Sequence, residues 1–240
     1  MSRARHWFIA VPVVIGAVVA LLIFWFNNRF VEPVKLELKP HVYKQRDVGI
    51  TDIQLKVFYA VPKNRIGKIV DNWEVAIEEI MPDILKFHNL QFHNFSNINY
   101  AIYPEPVILE AENLFYDTLD TNRGNPEALK NVSGELERRY SDFLKTTGDQ
   151  FLVLSIIYEG VGSSGSTGVT LFSHTFLTSP EYLAIKSSLF YHEFGHALGL
   201  PDQYDISTNE AFSSDIMGSG RRKPIDITYV DRALLKEMGL

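Results

Sequence analysis

The stretch that most constrains this chain is Tyr191–Asp205, YHEFGHALGLPDQYD. It contains His192-Glu193-Phe194-Gly195-His196, an H-E-x-x-H pattern. On a helix, side chains four residues apart project from one face, one turn above the other. That spacing lets the imidazoles of His192 and His196 hold one zinc ion. It also sets Glu193 beside the first of them, within reach of a water on the same metal. Gly199 comes three residues after His196, where a left-handed residue ends a helix sharply. Pro201 prevents the helix from resuming. Asp202 falls ten residues after His192, where a reversed chain supplies a third ligand from below. The bland alternative is a helix with two surface histidines and an ordinary glycine stop.

The pattern resembles the metzincin signature H-E-x-x-H-x-x-G-x-x-H, with Asp202 in place of the last histidine. Asp215-Ile216-Met217-Gly218 stands where that family carries a methionine turn, Met217 being fifteen residues beyond Asp202. The words GLPDQYD and IMG are similar to the immune inhibitor A family of secreted metalloproteases. The resemblance covers residues 188–220. It implies a zinc endopeptidase with His192, His196 and Asp202 on the metal and Glu193 as general base. Gly199 would make the reversal, and Met217 would pack beneath the metal without coordinating it. The common tyrosine two residues after the turn methionine is missing, since Ser219 stands there. Tyr204 and Tyr229 could each donate to an oxyanion.

The third ligand has alternatives. Asp205 is close to Asp202, and either aspartate could cap a turn or bind calcium. Asn209-Glu210-Ala211-Phe212-Ser213 faintly echoes the Asn-Glu motif of thermolysin-like enzymes, which would make Glu210 the ligand. Its separation of fourteen from His196 is short for that class. Two other functions use the same residues: a hydrolase of a non-peptide bond, and a binding module stabilised by structural zinc. Glu193 argues against the second, because a purely structural site does not require a base.

At 240 residues the chain is long enough for one domain with a sizeable core. Cysteine is absent, so neither a disulfide framework nor a thiolate ligand exists. The net charge is −6, and nothing resembles a basic stripe for nucleic acid. Trp7–Phe26 is a run without a charge, long enough for a bilayer-spanning helix. Trp7 and Trp25 mark its ends, and Arg3 and Arg5 precede it. No small-residue cleavage site follows, so residues 1–27 read as an uncleaved signal anchor rather than a signal peptide. Residues 28–50 read as a tether, and residues 51–240 as a catalytic domain on the outer side of a cell membrane.

Within that domain the pattern predicts strands at 53–61, 97–103, 151–158 and 169–176. Helices are expected from Asp71 or Asn72 to Leu90, from Asn125 to Thr147, from Ser179 to Gly199, and over 226–238. Short apolar Phe151–Tyr158 (FLVLSIIY) reads as a central strand. Gly160–Gly168 (GVGSSGSTG) reads as a flexible turn. Val169–Phe176 is then an edge that could pair with an extended peptide. The alternation of strands and helices gives an α/β (α+β) class. The resemblance adds a mixed twisted sheet with two large helices above a cleft. It also divides the domain into an upper part, 51–199, and a small lower part, 200–240.

Overall fold

The computed structural model describes residues 38–117 and 124–240. The expected anchor Trp7–Phe26 and the first part of the tether lie outside the described residues. Among the described residues no helix is long and apolar enough to cross a membrane.

The folded unit begins at Leu38 rather than Thr51. Part of the expected tether is a hairpin of β1 (His41–Val42) and β2 (Gln45–Gly49). Val42 and Ile50 are fully buried. The His41 N–H donates to the Met238 carbonyl and the Tyr43 N–H to the Leu198 carbonyl, each at 3.0 Å. Gln45–Gly49 is polar and largely exposed. The hairpin's place is set by the backbone bonds of His41, Tyr43 and Lys44 to distant residues, which no local pattern announces.

Six strands make the main sheet: β3 (Asp52–Val61), β4 (Asn97–Ile102), β5 (Val107–Ile108), β6 (Phe151–Tyr158), β7 (Ser163–Ser166) and β8 (Val169–Ser173). The order is β4-β3-β6-β8-β7, with β5 also beside β3. All pairings are parallel except that of β7 with β8. Successive side chains of a strand point to opposite faces. Ile53, Leu55, Val57 and Tyr59 of β3 enter one core with α1 (Trp73–Gln91) and a later helix, Lys186–Ala197. Phe58 and Ala60 enter a second core with α2 (Pro126–Arg139). β6 does the same, sending Val153 and Ile157 one way and Leu154, Ile156 and Tyr158 the other. A strand buried on both faces has no solvated side, which explains a run that is apolar except for Ser155, itself buried and accepting a hydrogen bond from the Thr170 hydroxyl. Each such side chain stabilises the fold by roughly 1.5–3 kcal/mol relative to exposure.

The helix carrying the motif is α3 (Lys186–Ala197), followed by α4 (Arg232–Glu237). Several boundaries differ from the pattern. Pro180 opens a 3-10 turn, Pro180–Tyr182, and α3 starts only at Lys186. The helix expected from Asn125 to Thr147 ends at Arg139, and Ser141–Leu144 forms a separate turn. Its start is as read: Asn125 accepts from the Ala128 N–H, and Pro126 sits in the first turn. Pro82 lies inside α1 without dividing it. α4 starts at Arg232 because the Asp231 side chain caps the Ala233 N–H at 2.7 Å.

Candidate metal centre

α3 is buried on most sides, with Phe190, Tyr191, Phe194 and Ala197 fully inside. It stops where the sequence says. The Gly199 N–H donates to the His196 carbonyl and the Leu200 N–H to the Gly195 carbonyl, both at 2.9 Å. Gly199 holds φ at +84°, a conformation costly for residues with a Cβ. The reversal returns Asp202 to the histidines. Its Oδ1 lies 3.2 Å from His196 Nε2 and 3.5 Å from His192 Nε2. One ligand atom from each of the three residues falls within 4.8 Å of the others.

Hydrogen bonds fix both rings. His192 Nδ1–H donates to the Ile216 carbonyl at 3.0 Å, and His196 Nδ1–H donates to the Leu200 carbonyl at 2.8 Å. A carbonyl only accepts, so each Nδ1 carries hydrogen, and a neutral ring then presents a lone pair at Nε2. Both lone pairs face Asp202 Oδ1, which is buried without a well-aligned hydrogen bond. Lone pairs facing lone pairs repel. The arrangement calls for a cation: a proton on one ring, or a metal among the three. Two imidazole nitrogens and a carboxylate oxygen suit zinc, whose bonds to them are about 2.0–2.2 Å long.

The electrostatics follow. Burial pushes His192 down to about 3. Burial also opposes charge on His196, but the contact with Asp202 and the field of Glu193 win and raise it. Burial acts to raise Asp202, yet the neighbouring imidazoles hold it below the ordinary value. Glu193 is raised, chiefly by burial, against the opposing pull of His196 and a hydrogen bond with Ser163.

Met217 is fully buried, and its Sδ lies 2.6 Å from where a Cβ on Gly195 would stand. The absence of a side chain at Gly195 leaves room for the Met217 thioether against α3, and the neighbouring Ile216 carbonyl is the one that meets His192. The structure does not bring the alternative ligands to the cluster. Asp205 Oδ1 accepts from the Ser207 and Thr208 N–H groups in a turn. Glu210 is exposed, and His174 faces Glu159 at 3.0 Å. Tyr229 pairs with Ser214.

Glu193, His196 and Asp202 open onto a cleft of about 640 Å³. Its upper edge corrects the sequence reading. Ser163–Ser166 is not a free turn but β7, the outermost strand. β8 is therefore paired on both sides and cannot accept a peptide. A Cβ on Gly165 would stand 2.5 Å from the His196 Cβ, so the glycine permits β7 to lie against α3. A smaller pocket of about 220 Å³ adjoins Ser163 and Glu193, with Phe172, Phe176, Tyr182 and Leu189 in its wall. Sequence reasoning left Tyr204 unassigned and missed Arg221, both of which line the cleft. The signals available were their positions just after Asp202 and just after the methionine segment.

No family model and no curated protein matches this chain. Among solved structures it is similar to catalytically inactive OgpA from Akkermansia muciniphila, in complex with an O-glycopeptide (glycodrosocin) substrate. The TM-score is 0.50 at 15% identity, over 79% of this chain and 62% of that one. The likeness is one of fold, and this chain spans less than two thirds of the neighbour's length.

Proposed function

We propose that this chain is a metzincin-like zinc endopeptidase. The observation that carries the reading is the convergence of two imidazole lone pairs on the Asp202 carboxylate, beside Glu193 and in an open cleft. Zinc, when bound by His192, His196 and Asp202, would supply Lewis acidity and lower the pKa of a water from about 15.7 towards 7. Glu193 takes the proton of the attacking water and returns it to the leaving amine. Burial favours this role, because a raised carboxyl holds a transferred proton more readily than a solvated one. The hydrogen bond with Ser163 aims it. An extended peptide adds to β7, the outer edge of the sheet, through backbone hydrogen bonds. The apolar pocket beside Ser163 takes one side chain of that peptide. A peptide substrate is also supported by the similar fold of OgpA, solved with an O-glycopeptide.

The test is metal analysis and cleavage of quenched peptides by the full chain. Glu193→Gln should keep the metal and lose about 10²–10⁴-fold in turnover. Near-normal cleavage by this variant, free of contaminating protease, would refute the assignment. We propose further that Trp7–Phe26 is retained as a single-pass anchor with the domain outside the cytoplasm. Protease added to intact cells should then digest the domain; full protection would overturn that orientation.

A further inference from the structure

We propose that the cleft reads a carboxylate on its substrate, through the guanidinium groups of Arg221 and Arg222. The inference rests on the peptidase reading and narrows its substrate class. Both arginines follow Met217 on a 3-10 turn, Ser219–Arg222, and both line the cleft that holds Glu193 and His196.

Arg221 is 8% exposed. A buried cation is costly unless it is paired. Yet its hydrogen bonds go to neutral acceptors: the Gly218 carbonyl at 2.5 Å and the Asn209 side-chain oxygen at 2.6 Å. The Tyr204 ring covers one face of the guanidinium, with its centroid 3.6 Å away. That stacking leaves the edge of the fork available. Guanidinium carries five N–H donors, and the two bonds named do not exhaust them. Among the described residues neither Arg221 nor Arg222 forms an ion pair with a carboxylate. Arg222 is exposed beside it.

The sign of the cleft supports the reading. A divalent ion on the metal ligands would balance Asp202 and Glu193, so the two guanidiniums decide the remaining charge. The chain as a whole carries −6. Positive charge kept in the cleft of an acidic protein selects for an anion. The planar fork of arginine matches a carboxylate, which accepts two parallel hydrogen bonds. That carboxylate could be an aspartate or glutamate side chain, or the carboxyl end of the peptide itself.

The experiment measures binding rather than turnover. Metal-loaded full-length Glu193→Gln protein is titrated with labelled, acetylated and amidated peptides that carry Glu or Gln at one position at a time. A second set exchanges the amide for a free carboxyl end. At least one Glu position, or the free end, should bind about 10-fold more tightly than its neutral partner, and the gain should fall with added salt. The arm that shows the gain names the source of the carboxylate. Arg222→Gln, which removes no hydrogen bond of the fold, should reduce the ratio several-fold. Arg221→Lys should reduce it further, because a point charge cannot replace the fork. Equal binding of every charged and neutral pair would overturn the proposal, as would a ratio unchanged in both variants. Failure of the wild-type, metal-loaded protein to cleave any peptide would instead bring down the peptidase reading, and the binding ratio would still decide this one.

Discussion

His88 on α1 and His192 on α3 are 0% and 3% exposed, and burial pushes both to about 3. Their nitrogens are used differently. Ser96 Oγ donates to the Ile50 carbonyl, so it accepts from His88 Nε2–H at 2.8 Å. His88 Nδ1 then accepts from the Tyr191 hydroxyl at 3.0 Å. Every donor and acceptor in that relay is matched. His192 carries its hydrogen on the other nitrogen, and its Nε2 looks across 3.5 Å at a carboxylate oxygen. Burial and a suppressed pKa therefore do not mark a site, since both histidines have them. What marks it is an unmatched lone pair aimed at another.

The largest expected effect separates the two by metal content. His192→Ala should lose metal affinity by about 100-fold or more in a zinc titration, while His88→Ala binds zinc as the wild type does. The cost of His88→Ala should appear in urea unfolding instead, at roughly 2–4 kcal/mol. It leaves a cavity and strands the Tyr191 hydroxyl. A folded His88→Ala protein without metal would break the distinction.

A smaller effect lies in the acid limb of stability. His88 stays neutral in the fold down to about 3, whereas an unfolded chain binds a proton there from about 6.5 downwards. The unfolded state thus holds more protons between those values, and stability falls as pH drops through that window. The slope from this residue approaches about 1.4 kcal/mol per pH unit below pH 6, is about half that at pH 6.5, and dies away over roughly the next unit. His88→Gln should flatten the wild-type loss between pH 6.5 and 5 accordingly, read from urea midpoints. Identical slopes would show that His88 is not the proton acceptor.

The legible parts of this molecule are those whose cause is local. Gly199 and Pro201 favour a helix end and a reversal through their own backbone preferences, the four-residue histidine spacing puts both rings on one helix face, and Asn125-Pro126 favours a helix start. FLVLSIIY betrays its two-sided burial by having no polar face. The illegible parts depend on distant partners. SSGS has little strand propensity; it becomes β7 because β8 offers an edge and Gly165 fits against α3. The hairpin at residues 41–49 forms against Leu198, Glu237 and Met238, far away in the chain. Arg221 enters the cleft because Tyr204 and Asn209 meet it there. No periodicity records such meetings.

The hairpin also has a mechanical meaning. Tension entering the folded unit at its amino end would reach β1 first. From there it divides between two places: the Met238 and Glu237 carbonyls, and the Leu198 carbonyl that accepts from Tyr43. Leu198 immediately precedes Gly199, and the Val42 methyl lies 3.1 Å from where a Cβ on that glycine would stand. A pull on the amino end would therefore be felt, one hydrogen bond later, at the turn that holds Asp202 under the histidines.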